Sequence, residues 1–191
     1  MKARPITQET VYLYHISQDS QRGQDIARAM EGISVPVEEI KEELLGETLG
    51  YCLGLPGFPK TGGPIPEAGF EEEVLVMKGF TKQSMDRMLK EFQRKNIPPV
   101  ALKAVLTEHN SKWRCIDFFK ELKREHLFMN AYQSLRRLVF LAEQQKGQTA
   151  ELQEAVRKAR EQLAKGDQVS FEELAQVLEE LKNSFSKNNV E

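Results

Sequence analysis

Glu73-Val74-Leu75-Val76-Met77-Lys78 is the stretch on which the reading of this chain turns. Its apolar, β-branched composition and length fit a strand. An upstream stretch, Thr10-Val11-Tyr12-Leu13-Tyr14-His15-Ile16, reads the same way. Each is followed by a helical pattern. Asp19 to Gly32 carries Ile26, Ala29, Met30 and Ile33 at helical spacing and stops at Gly32. Thr81 can cap a helix over Lys82 to Lys95, with Met85, Met88, Leu89 and Phe92 on one face. A proline-marked strand comes next in both passages. The first is Ser34 to Ile40, which Pro36 confines to an edge or to the strand's first residues; the second is Val100 to Leu106, after Pro98-Pro99. A short helix over Leu44 to Leu55 ends one passage, and a helix from about Lys112 ends the other.

The register of the two passages agrees as well as their order. Placing Val11 on Val74, an offset of 74 − 11 = 63, lays Pro36 on Pro99, Val37 on Val100 and Cys52 on Cys115 without a gap. The chain therefore reads as an α+β domain over residues 1–126, built from two pseudo-repeats of about 9–55 and 72–118. The linker is a Gly/Pro-rich loop over 54–70, Gly54-Leu55-Pro56-Gly57-Phe58-Pro59-Lys60-Thr61-Gly62-Gly63-Pro64-Ile65-Pro66-Glu67-Ala68-Gly69 and Phe70. Two βαβ units in series give βαββαβ, the ferredoxin-like order of a two-layer sheet with helices on one face. A small doubly wound α/β sheet is the alternative, and neither pair of strands is apolar for long enough to separate the two.

Beyond Leu127 no strand signal returns. Residues 127–191 read as a helical tail of about three amphipathic helices. One stripe is Phe128, Ala131, Leu135, Leu138 and Ala142; the next is Leu152, Ala155, Val156, Ala159 and Leu163. Ser170 with Glu173 forms a capping box ahead of the third, Phe171, Leu174, Leu178, Leu181 and Phe185. Such short helices must bury their stripes against one another, the sheet domain or a second copy.

Composition excludes several function classes. Among 191 residues, Lys+Arg 27 against Asp+Glu 29 leaves a net charge of −2, without the surplus cations a general nucleic-acid binder needs. Nor is there a polybasic membrane anchor or an apolar run of about 20 residues. Met1-Lys2-Ala3-Arg4-Pro5 leads into no apolar signal region, so a cytoplasmic, soluble protein is expected. Two cysteines form no disulfide framework, and His15, His109 and His126 include no i, i+4 pair to suggest zinc. Gly54 to Thr61 has the spacing of a phosphate-binding loop, but Pro59 replaces the second glycine and removes a backbone N–H that would face phosphate. No metal or cofactor is expected.

The most informative polar cluster lies where the last strand gives way to a helix, a usual place for ligand groups in α/β sheets. Lys103, Thr107, His109, Asn110 and Trp113 are the candidate ligand-binding residues. The same residues have a local use: Asn110 or Ser111 as helix cap, Thr107 in the turn, Trp113 in the core. Leu102-Lys103-Ala104-Val105-Leu106-Thr107, with Asn110, Trp113 and the helix through Leu122 to Glu125, has the pattern L-K-A-x-x-T-x-x-N-x-x-W. It resembles a domain of unknown function found in small bacterial proteins, over about residues 54–129. The resemblance implies a bacterial, soluble protein and supplies no reaction, cofactor or catalytic residue.

Three functions are compatible with these features. The first is a non-catalytic regulatory module that binds a small molecule or a protein. The second is a small enzyme at the Thr107–Trp113 turn with Glu108 or His109 carrying a proton, and the third is a homodimer joined through the tail. The absence of any complete catalytic constellation favours the first.

Overall fold

The computed structural model describes residues 8–65, 67 and 69–188. Met1–Pro5, and Pro66 and Ala68 of the Gly/Pro-rich loop, lie outside the described residues. In chain order the elements are β1 (Thr10–Tyr14), α1 (Gln21–Glu31), β2 (Val37–Glu39), α2 (Leu49–Cys52), β3 (Val74–Lys78), α3 (Lys82–Arg94), β4 (Leu102–Val105), α4 (Cys115–Glu143), α5 (Ala150–Ala164) and α6 (Phe171–Asn188). Single 3-10 turns lie at Glu42–Leu44, Asn110–Lys112 and Gly166–Gln168. The expected helix over Leu44–Leu55 is therefore a 3-10 turn and one α-turn, interrupted near Gly46.

The four strands form an open mixed sheet in the order β2-β1-β3-β4. β1 runs parallel to β2 and β3 parallel to β4, while β1 and β3 pair antiparallel with Tyr12 opposite Val76. This differs from the ferredoxin-like expectation, in which the strands of the two units interleave. Here each unit keeps its own two strands adjacent, and within the sheet the units meet at β1 and β3. The mixed directions also differ from a doubly wound sheet.

The expectation of two layers is corrected too. Val11, Leu13, Leu75 and Met77 pack on Ile26 and Met30 of α1 and on Met88 and Phe92 of α3. The opposite face, with Tyr12, Tyr14, Val74 and Val76, packs on Leu45, Leu49, Ile116 and Phe119. All five residues of β1 are buried. A strand apolar on both faces needs cover on both sides, and α2 with the first turns of α4 supplies the second cover.

Matching local devices recur in the two βαβ passages. His15 (φ 58) follows β1, and Gly79 (φ 74) follows β3, at an offset of 79 − 15 = 64. Ser34 (φ 59) and Asn96 (φ 54) are left-handed just after α1 and α3, at an offset of 96 − 34 = 62. The amides of Val35 and Ile97 reach back to Met30 O and Phe92 O, both at 2.9 Å, the long-range bond of a Schellman closure. Arg22 pairs with Glu73 at 2.8 Å, and Arg87 with Glu9 at 2.9 Å. Finally, Leu49 N donates to Trp113 O and Cys115 N to Glu47 O, both at 2.8 Å, around a Thr48–Arg114 bridge. There the offset is 114 − 48 = 66. The correspondence slips along the chain, so a constant offset of 63 superimposes neither the strands nor the following helices. Cys52 ends α2 whereas Cys115 opens α4, and the two are not equivalent.

The chain divides into two compact units, the first ending at Lys123 and the second beginning at Arg124. α4 runs uninterrupted through that point, because nothing between Cys115 and Glu143 is glycine or proline. The second unit gathers the three predicted stripes into one core, with Leu135, Leu152, Ala159, Leu174 and Leu181 fully buried. Its helix starts are closed locally. Thr149 accepts from Leu152 N at 3.3 Å, Ser170 N donates to Glu173 Oε2 at 2.8 Å, and Glu173 N donates to Ser170 Oγ at 3.1 Å.

Candidate functional site

The Thr107–Trp113 turn directs most of its polar atoms inward upon itself. Asn110 Oδ1 accepts from Thr107 N at 2.7 Å, Asn110 N donates to Thr107 Oγ1 at 3.1 Å, and Asn110 Nδ2 donates to Val105 O at 3.0 Å. Trp113 Nε1 donates to His109 Nε2 at 3.3 Å, with the rings edge to face 5.7 Å apart. Trp113 also packs on the core face that holds Leu102, Ala104 and Leu106. Lys103 alternates to the other face of β4 and donates to Val100 O at 3.4 Å. Thus Thr107, His109, Asn110 and Trp113 meet one another, and Lys103 does not join them. His109 is exposed, and the polar groups of Asn110 close the turn.

The Gly/Pro-rich loop is held by a residue the sequence reading passed over. Glu47 is 3% exposed. Its Oε2 accepts from Thr61 N and Thr61 Oγ1, both at 2.6 Å, and its Oε1 from Gly62 N at 2.9 Å. The Thr61 hydroxyl, then the Thr61 amide, holds this carboxyl below the usual carboxylate range. Successive loop amides do cradle an anion here, as in a phosphate loop, but the anion is the protein's own side chain. Around it the backbones touch: a Cβ on Gly46 would stand 2.4 Å from Gly63 O and 2.5 Å from Pro64 O. Only glycine permits that approach. The available signal was Gly46, Gly50 and Gly63, glycines without a turn to make.

The clearest opening onto the sheet is a cleft of about 320 Å³ at the carboxyl ends of β1 and β2. His15, Ser17, Glu39, Lys41, Glu42 and Glu43 are in its polar lining, over Ile16 and Ile40. His15 holds a left-handed backbone, which in a non-glycine residue is an uncommon conformation. At the matching place after β3 the chain has Gly79. The imidazole Nδ1–H donates to Glu71 O. Glu39 accepts from Gln18 N with one oxygen, and Gln18 Nε2 donates to Val37 O at 3.1 Å. His15 follows β1 and is exposed in this chain. Its signal lay in the alignment: an offset of 64 sets it on a glycine. A larger groove of about 610 Å³ runs along α3, but its Arg87 and Arg94 are paired with Glu9 and Glu91.

Among the described residues no group of three or more His, Cys, Asp or Glu side chains could hold a metal ion. Among the same residues no helix is long and apolar enough to cross a membrane. A family model, Domain of unknown function (DUF3783), matches residues 73–129, a span that opens at the edge of β3 and closes inside α4. No curated protein and no solved structure matches the chain.

Proposed function

We propose that this chain is a non-catalytic regulatory module whose cleft at the ends of β1 and β2 binds a small molecule carrying an ammonium or amidinium group. The observation that carries the reading is His15. It keeps an imidazole in a left-handed position where glycine would fit at no steric cost, and such outliers cluster at ligand sites. Three carboxylates, Glu39, Glu42 and Glu43, line the cleft against one ammonium, Lys41, so the cleft favours a cationic donor. Two copies of one βαβ unit would account for the matching ion pairs, turns and helix closures. The reading includes a bacterial, cytoplasmic setting, supported by the motif of residues 102–113 and by two cysteines kept as thiols. The Thr107–Trp113 turn is a weaker place for a ligand, because the Asn110 amide is engaged with Thr107 N and Val105 O and the Asn110 N–H with the Thr107 hydroxyl.

The test is a thermal-shift screen of polyamines, basic amino acids and guanidino compounds on the wild type, His15→Gly and Asn110→Ala. A true ligand raises the wild-type melting temperature by mass action. His15→Gly should abolish that shift while leaving intrinsic stability within about 1 kcal/mol, since relief of backbone strain offsets the lost hydrogen bond. Asn110→Ala should cost about 1–2 kcal/mol and keep the shift. A shift that survives His15→Gly and disappears in Asn110→Ala would return the site to the turn.

A further inference from the structure

We propose that Cys52 and Cys115 form a reversible dithiol–disulfide pair that responds to a peroxide and ties α2 to the first turn of α4. Cys52 is the last residue of α2 and Cys115 the first of α4. The two elements are fastened backbone to backbone by the bonds of Leu49 N to Trp113 O and Cys115 N to Glu47 O, each 2.8 Å. That fastening sets the two thiols near each other inside one core cluster, with Leu45, Leu49, Ile116 and Phe119. Cys52 Sγ also reaches Leu44 O at 3.1 Å. A buried thiol is commonly a small apolar filler, but a filler has no need of a second sulfur. This chain has Cys 2 in all, and both are in this cluster.

The chemistry divides the roles. Cys52 is 8% exposed and Cys115 0% exposed, so a peroxide meets Cys52 first. The hydrogen bond from Cys115 holds the Cys52 thiol below its ordinary range; the same contact, followed by burial, pushes Cys115 up. The Cys52 thiolate attacks one peroxide oxygen and the O–O bond breaks. An alcohol or water leaves with a proton, and Cys52 becomes a sulfenic acid. Cys115 then gives up its proton, its sulfur attacks Cys52 Sγ, the S–O bond breaks and water leaves. Two sulfurs have lost one electron each, and the two peroxide oxygens have been reduced. With its partner already near, the sulfenic acid is resolved before a second peroxide oxidises it further.

The experiment titrates the reduced, full-length protein with hydrogen peroxide. It follows free thiols after denaturation, intact mass, and melting temperature. The expected result is simultaneous loss of both thiols in a monomeric chain lighter by two hydrogens, restored by dithiothreitol. Closing so long a loop should raise the melting temperature on the order of 10 °C. In Cys115→Ser, which lacks the resolving thiol, peroxide should carry Cys52 onward to the sulfinate. If that variant does not fold, the wild-type mass and thiol count decide alone. Three wild-type results would overturn the proposal: a sulfinate in place of the two-hydrogen loss, disulfide-linked dimers, or thiols that persist under a dose that oxidises the guanidinium-unfolded chain.

Discussion

Glu47 shows how one side chain can organise a loop that has no secondary structure of its own. Its carboxylate is stabilised by the Thr61 hydroxyl and amide and by the Gly62 amide, so its folded-state pKa lies below the unfolded value. The stability it contributes is therefore fully present above the unfolded pKa and is lost as pH falls through the folded one. Denaturant midpoints measured across that acid range should fall more steeply for the wild type than for Glu47→Gln. Parallel curves would remove Glu47 from this role. The glycines next to it divide by mechanism. Gly46→Ala drives a Cβ into the Gly63 and Pro64 carbonyls and should cost about 3 kcal/mol. Gly54→Ala meets open space at φ +63 and should cost only about 1 kcal/mol of conformational strain. Equal losses in urea denaturation would show that the loop does not sit against Gly46. Beforehand only the glycines left a trace of this, and nothing pointed to Glu47. The sequence displays a broken phosphate-loop pattern, and only three-dimensional proximity reveals that a residue upstream of the loop occupies its amides.

At the scale of elements, legibility follows the range of the interactions. Helix starts were readable because caps are local: Thr81 accepts from Ser84 N at 3.2 Å, and Ser84 Oγ returns an acceptor to Thr81 N at 2.8 Å. Thr81→Ala should cost about 1 kcal/mol, measured by thermal or urea unfolding. The tail stripes were readable because burial at helical spacing is periodic, and Leu174, at 0% exposure, tests their packing. Leu174→Ala should cost about 3 kcal/mol; a loss below about 1 kcal/mol would mean that the stripe is not packed as described. The continuity of α4 was missed because the change in residue pattern near Leu127 marks a change of partner, not a helix end. Strand order was also missed. β1 finds β3 across the whole first passage and the loop, and a pairing over that separation leaves no mark in either strand. The two-sided cover of the sheet did leave one, in Val11-Tyr12-Leu13-Tyr14, where no polar residue alternates with the apolar ones.

For the whole molecule, separate cores imply separable energetics. Gly46→Ala in the first unit and Leu174→Ala in the second should add within about 0.5 kcal/mol in a double-mutant cycle. The stripes that made a tail-mediated dimer one of the three readings are satisfied within the second unit, so light scattering should give the mass of a single chain. Phe140, 61% exposed, and Met129, 48% exposed, are the residues to replace if it gives two. The central pairing has a further consequence. The antiparallel β1–β3 contact joins two βαβ units, so either unit made alone would present β1 or β3 as a bare apolar edge open to another strand. The span matched by the family model, residues 73–129, contains only the second of these units. Joining both in one polypeptide turns that association from a matter of protein concentration into one of linker length. The Gly/Pro-rich loop, anchored by Glu47, thus keeps the assembly the same at any dilution.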